Sequence, residues 1–451
     1  MPGDSVQDVE SGAAVDAADE VTAELAGVLV RFTALATGPD DGGDVAADAD
    51  RIDRIALLEQ IKSAVAAAQH TQMVRFARSQ VDAHIDDDTL DPKSVGRGIA
   101  DHFALACRVS PFTGSRRLGV ARALHFELPG IRALLAAGRI SEDTAALVTA
   151  ETSHLDADRR GQVDVQLCAA GIEQLSPRRA AALARRCAYA ADPAGYVARG
   201  RTARADRRVT LRPAPDTMSL LTGFLPVEQG VACLAALRRH TDGLLAAGDA
   251  RGRGQIMADT LVERLTGQAR AADVNVEVGI VMSLDSLVGD AGGAAHATTE
   301  GSAGTGTAEV IGQGPIPAGI AHDLLQATEG KRWWRRLFTM PEGGPLVGGD
   351  PRRRAFDGVL AGLIGVRDGG LCRDPYCDAP IRHVDHIRPY RAGGPTSFAN
   401  GRGVCARGNY VREMPGWQVD VVDDGLNRHP HTVRTTTPTG HTYDSTAGPA
   451  L

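Results

Sequence analysis

Cys372-Arg-Asp-Pro-Tyr-Cys377, followed by His383-Val384-Asp385-His386, Asn400, Cys405 and Asn409, gathers metal ligands and a titratable base within about forty residues. The reading of this stretch governs the rest. A neutral histidine takes a proton from water near neutral pH without an extreme pKa shift, so His386 is a candidate general base. Asp385 directly precedes it. Adjacent strand residues face opposite ways, so the two can serve one site only at a bend or at the end of a strand. Cys372, Cys377 and Cys405 form three corners of a structural zinc site, which takes four ligands. Two readings of these thiols stand open: a zinc knuckle with His383 as fourth ligand, or three reduced cysteines packed in a small core.

Counting outward, His386 to Asn400 is fourteen positions and Asn400 to Asn409 is nine, with Gly393-Gly394-Pro395-Thr396 as the turn between. That spacing resembles the HNH endonuclease motif, in the Asp-His version also found in RNA-guided CRISPR nucleases. The resemblance implies hydrolysis of phosphodiester bonds with a divalent cation. It would make His386 the base and give Asp385 and Asn409 to one magnesium or manganese ion, whose preference is for oxygen ligands. Asn400 would be a frame residue, its amide bonding backbone across the loop. Two positions depart from the commoner pattern: Asn409 replaces a final histidine, and Gly408 replaces the fourth soft ligand beside Cys405.

A wider resemblance covers residues from about 50 to 445. Arg251-Gly-Arg-Gly-Gln255-Ile-Met-Ala-Asp259, Gly312-Gln-Gly-Pro-Ile-Pro317 and Cys372-Arg-Asp-Pro-Tyr-Cys377 resemble an actinobacterial repeat family in which a domain of unknown function precedes an HNH module. Only the HNH part carries chemistry that transfers residue by residue.

Charge supports a phosphate-bearing partner. The formal net charge is −7, but residues 1–50 hold twelve acidic side chains and only Arg31 in opposition, so the remaining 401 residues carry +4. Residues 331–417 hold fifteen basic and eight acidic side chains, or +7, as binding to a nucleic-acid backbone requires. Within and beside this region, Arg352, Arg353, Arg354, Arg388 and Arg407 are candidate phosphate contacts. Lys331, Trp333 and Trp334 could grip phosphate and stack on bases, or the tryptophans could anchor a connecting helix in the core. No apolar run approaches the ~18 residues of a membrane span, and no secretory leader is evident. With seven scattered cysteines, this leads us to expect a cytoplasmic protein with reduced thiols and no membrane partner.

The expected organisation is α+β. An acidic, partly flexible leader (1–50), with a helix at about 19–36, precedes a mainly helical domain (51–330) that carries a few strands and a mobile loop at 286–307. A basic connector (331–354), a ββα-metal nuclease module (355–417) and a C-terminal β-hairpin with its tail (418–451) complete the chain. Helical spacing of Ile55, Leu58, Ile61 and Val65 predicts a long helix through about His84. Shorter helices follow near 94–107, 113–127, 130–137 and 142–152, and Ser176-Pro177 signals the start of another. A hairpin is predicted at 208–225, helices at 227–246 and 253–267, and a strand from Val274 to Met282. A helix is predicted at about 318–328. The functional expectation is a DNA endonuclease; its rivals are an inactive nucleic-acid-binding protein with the HNH shape, and an RNA nuclease or toxin-like effector.

Overall fold

The computed structural model describes residues 6–38, 48–270, 280–282, 307–310, 314–317, 319–320, 356, 358–425 and 429–447. The chain divides into two compact units, Met1–Ile61 and Lys62–Leu451. In the first, α1 (Val6–Thr37) begins well before the expected helix at 19. The acidic composition suggested flexibility, but the alanines and glutamates here are good helix formers.

Helix α2 (Asp48–Asp86) opens with Asp48 and Asp50, whose charge favours the positive end of the helix dipole. In the second unit it buries Ala66, Ala67, His70, Met73, Val74 and Ala77, a stripe at spacings of three and four. Met73, Val74 and Ala77 share a core with Ile99 and Phe103 of α3 (Ile99–Ala106) and Leu118 and Ala121 of α4 (Pro111–Phe126). Helices α5 (Pro129–Ala136), α6 (Glu142–Glu151), α7 (Ala157–Ala169), α8 (Pro177–Ala191) and α9 (Pro193–Ala205) follow and pack mainly on one another and on α4. Leu124, Leu128, Ile131, Leu135, Val148, Val163, Leu167 and Ile172 fill the main core. Removing such aliphatic side chains from water stabilises the fold by about 1.5–3 kcal/mol each.

Polar residues fix the helix ends. Ser110, Ser141 and Asp156 accept from the backbone N–H groups of Thr113, Thr144 and Arg159 at the starts of α4, α6 and α7. Ser176, expected as a cap, has extended backbone but makes no capping bond, and Pro177 alone supplies the start signal. Sequence reasoning missed α7. Its aspartate Asp164 caps a different helix, accepting from Gly130 and Ile131 N–H at 2.7 and 2.9 Å across to α5. Gly114 lets α3 and α4 cross closely: a Cβ there would stand 2.7 Å from the Ala100 carbonyl and 2.8 Å from the Ala104 methyl.

Next come an antiparallel pair, β1 (Arg208–Pro213) with β2 (Ser219–Phe224), and helices α10 (Val227–Ala246) and α11 (Arg253–Thr266). Of the strand predicted from Val274, only β3 (Ile280–Met282) is described; it joins β4 (Thr307–Val310) and β5 (Gly314–Pro317) in the order β3-β4-β5. Gly319 and Ile320 are helical, and the rest of the helix predicted at 318–328 lies outside the described residues. So do residues 286–306 of the loop expected at 286–307, whose last residue, Thr307, begins β4, and the connector at 331–354 with its arginines and tryptophans.

The last part carries α12 (Gly358–Arg367), β6 (His383–His386), β7 (Gly401–Val404), α13 (Ala406–Val411), β8 (Gln418–Asp423), β9 (Thr432–Thr436) and β10 (Thr442–Thr446). Where a two-stranded hairpin was expected, three antiparallel strands lie in the order β10-β9-β8. The central strand turns Val433 and Thr435 inward, and Arg373 donates to the His431 and Ser445 carbonyls at 3.0 and 2.6 Å, holding the sheet to the cysteine-rich loop.

Helix α3 meets this last part directly. Asp101 receives two bonds of 2.7 Å from the Arg407 guanidinium, whose third nitrogen donates to Ser115 at 2.6 Å. The next residue, His102, packs edge-on against Trp417, with ring centres 4.9 Å apart. Helix α3 and the last part thus belong to the same compact unit, of mixed helical and antiparallel architecture.

Two outcomes follow from these buried polar groups. Burial raises the Asp101 carboxyl, opposed by Arg407, so the pair is sustained by its bidentate geometry rather than by an easy charge. Asp101→Asn should lower unfolding free energy by about 1–3 kcal/mol, read by denaturant titration. His431 donates through Nε2 to the Ala399 carbonyl at 2.9 Å, and burial, with Arg367 and Arg373 nearby, pushes its pKa down to about 4. It folds neutral, while the unfolded chain protonates it below the ordinary 6.5. Stability therefore falls as pH drops from about 6.5 to about 4, by roughly 1.4 kcal/mol per pH unit for this one proton. His431→Gln should remove that one-proton slope from the stability–pH curve.

Candidate functional site

Strands β6 and β7 run antiparallel, with Asp385 opposite Arg402 and His386 opposite Gly401. His386 is the last residue of β6, the position at which both it and Asp385 can turn to one site. Asp385 folds back to accept from the backbone N–H of His386 at 2.8 Å. The buried His386 ring sits against Phe356, 4.5 Å between centres, and Tyr390, at 5.7 Å, while Nε2 bonds the Thr396 hydroxyl at 2.9 Å. These contacts leave the imidazole little freedom to rotate.

The loop from 387 to 400 is closed by Asn400. Its Oδ1 accepts from Arg388 N–H at 2.8 Å, and its Nδ2 donates to the carbonyls of Arg388 and Pro395 at 3.0 and 2.8 Å. Behind the loop, Arg367 donates to the carbonyls of Phe398 and Gly401, both at 2.7 Å, and Asp368 accepts from Gly403 N–H at 2.8 Å. Arg367 and Asp368 were not foreseen as frame residues. An Arg-Asp dipeptide at the end of an apolar helix carries no sign that its partners are loop carbonyls.

After β7, Cys405 opens α13, which presents Asn409 half-buried. Arg412 follows directly after the helix. Its guanidinium donates to the Asp385 carboxylate and to the carbonyls of His386 and Ile387, with a side chain only 7 % exposed. Asp385 and Asn409 offer the oxygen donors that magnesium or manganese prefers, so the chemistry of the set fits. However, Arg412 already supplies positive charge to Asp385, and a divalent ion would compete with it. Nothing in the sequence marked Arg412 for this place.

The three cysteines come together. The Sγ atoms of Cys372, Cys377 and Cys405 lie within 4.8 Å of one another, with 3.9 Å between Cys377 and Cys405. Hydrogen bonds from Cys372 and Cys377, aided by the N–H groups of Gly408 and Arg407, hold the Cys405 thiol far below the ordinary range, and the corresponding bonds and burial push Cys372 up. Soft donors at this spacing suit zinc. His383, the expected fourth ligand, is exposed and outside the cluster, because its place on β6 turns it to solvent.

The candidate phosphate contacts divide. Arg388 is exposed at the mouth of the loop, with Nε on the Ala392 carbonyl at 3.1 Å. Arg407 corrects the expectation: its guanidinium is committed to Asp101 and Ser115, since pairing with a buried carboxylate outweighs solvation. Arg352, Arg353 and Arg354 lie outside the described residues. Among the described residues, no helix is long and apolar enough to cross a membrane.

No curated protein and no solved structure matches the chain. A family model described as a domain of unknown function, DUF222, matches residues 55–360, which takes in most of α2, all of α3 to α11, β1 to β5 and the first three residues of α12. The site built by β6, β7 and α13 follows that match along the chain, and the chain belongs to the DUF222 family.

Proposed function

We propose that this protein is a divalent-metal-dependent HNH endonuclease that hydrolyses DNA phosphodiester bonds, with a structural zinc ion at its three cysteines. The observation that carries the reading is His386 at the end of β6, oriented by Thr396 and set beside a loop that Asn400 closes through three backbone bonds. Phosphodiester cleavage needs an aligned base and a rigid frame, and these residues have those properties. In this reading the His386 imidazole takes a proton from the attacking water. Thr396, Phe356 and Tyr390 hold the ring, and Arg388 at the loop mouth meets the phosphate. A divalent cation held by Asp385 and Asn409 would stabilise negative charge on the phosphate and leaving oxygen.

The test is nicking of supercoiled plasmid with magnesium, manganese or EDTA. His386→Ala should lower metal-dependent nicking by roughly 100-fold or more while leaving DNA binding in place. Equal nicking by that variant would refute the assignment.

One observation favours a second reading, a nucleic-acid-binding protein that does not cut. Arg412 occupies the carboxylate on which a catalytic cation would depend. Arg412→Met removes the charge and keeps the length. It should raise manganese affinity about tenfold, measured by the loss of free-ion EPR signal, with about 1–3 kcal/mol of lost stability from the vacated carbonyls. Unchanged manganese affinity would show that Arg412 does not keep a cation from Asp385 and would remove the support for the non-cutting reading.

A further inference from the structure

Resting on the zinc reading above, we infer that Asp374 is the fourth ligand of the cysteine centre, in the space that Gly408 leaves open. Residue 408 has no side chain, and its N–H donates to Cys405 Sγ at 3.3 Å. A Cβ built there would stand 1.7 Å from Asp374 Oδ2, far inside any non-bonded contact. The carboxylate oxygen therefore occupies the place from which a side chain at 408 would reach the metal. The same oxygen lies 3.6 Å from Cys372 Sγ.

These distances suit a tetrahedral ion. Zinc–sulfur bonds of about 2.3 Å put two sulfurs about 3.8 Å apart, and a zinc–oxygen bond of about 2.0 Å puts oxygen and sulfur about 3.5 Å apart. The observed edges are 3.9 Å between Cys377 and Cys405 and 3.6 Å between Cys372 and Asp374. Oδ2 stands on the Cys372 side of the group, outside the cluster of three thiols, so completing the tetrahedron requires the carboxylate to turn toward the other two sulfurs.

Asp374 is held for this role from its other oxygen. Oδ1 accepts from Arg402 Nη1 at 2.7 Å, and the Arg402 side chain is fully buried, with 0 % exposed. A carboxylate ligand whose free oxygen is bonded by a fixed donor is oriented as metal ligands generally are. Charge agrees as well. Three thiolates and a carboxylate give zinc the same formal charge as four thiolates, and the buried guanidinium offsets part of it. Gly408 and Asp374 are thus one exchange: any side chain at 408 would displace the carboxylate.

The experiment uses the full chain, stripped of metal and reloaded with zinc or cobalt. Zinc affinity is measured by competition with a chromophoric chelator, and the ligand set by the thiolate-to-cobalt charge-transfer band. Asp374→Ala should weaken zinc by roughly tenfold or more. Asp374→Asn keeps an acceptor for Arg402 and should weaken zinc in the same direction, separating loss of a ligand from loss of folding. The double variant Asp374→Ala/Gly408→Cys should recover zinc affinity and add charge-transfer intensity in proportion to a fourth sulfur. Wild-type affinity in both single variants would overturn the assignment of Asp374 while leaving zinc in place. A wild-type protein that shows no cobalt–thiolate band would overturn the zinc reading itself. Neither outcome depends on nicking.

Discussion

The candidate site depends on a constraint that a chain of fourteen residues cannot impose on itself: the loop between β6 and β7 must return to within hydrogen-bonding distance of its own start. The Asn400 amide meets it by bonding both the N–H and the carbonyl of Arg388 and the carbonyl of Pro395. With both ends of the loop fixed, Thr396 is placed against His386, and Tyr390 against the same ring. Arg367, Asp368 and His431 brace the loop from behind, so the imidazole orientation is a property of the whole module. Such over-determination is what the proposed proton-transfer role of His386 requires, because misplacement by an ångström is costly to rate.

Arginine does most of the structural bonding in this part of the chain. Arg402 pairs with Asp374, Arg407 with Asp101, Arg412 with Asp385 and Arg434 with Asp444. The planar guanidinium lets two of them span several partners at once, Arg407 between Asp101 and Ser115 and Arg412 between Asp385 and the His386 and Ile387 carbonyls. A positive charge count over 331–417 therefore overstates the field that reaches solvent. The cationic surface among the described residues narrows toward Arg388 and its neighbours at the loop mouth. A consequence is that α3 of the helical region touches the helix carrying Asn409 through Arg407, so the DUF222 part bears on the geometry of the site.

Much of the helical region was legible because its signals are local. The α2 span, the α10 span and the β1–β2 pair follow from spacing and turn residues, with boundaries within a few residues of expectation. The apolar positions that announced α2 do not form its buried face, however: Ile55 and Val65 are exposed, and Ala66, Ala67, Met73, Val74 and Ala77 are buried instead. The miss at α7 has a physical cause: Asp156, Asp158, Arg159, Arg160 and Gly161 give its first turns little apolar periodicity, and Val163 and Leu167 become a core stripe only against α5 and α8. Arg160 is buried there only because Glu127, Thr149 and Thr152 accept its bonds, which are partners far apart in sequence. At the C-terminus the three stretches 419–422, 431–437 and 439–443 were legible, but not that all three pair: the expected hairpin is a three-stranded sheet with β9 between β8 and β10.

The sequence by itself determined which donor types lie close along the chain: a histidine beside an aspartate, two asparagines at set intervals, and three thiols near a glycine. Bonded neighbours and short loops fix those proximities almost regardless of the fold. Tertiary structure decided what each donor faces. It put Arg412 on Asp385, turned Arg407 inward to Asp101, left His383 in solvent and set Asp374 in the space beside Gly408. The reason is that a charged group takes whichever partner best replaces its lost water, and burial is a property of the packed chain rather than of the residue.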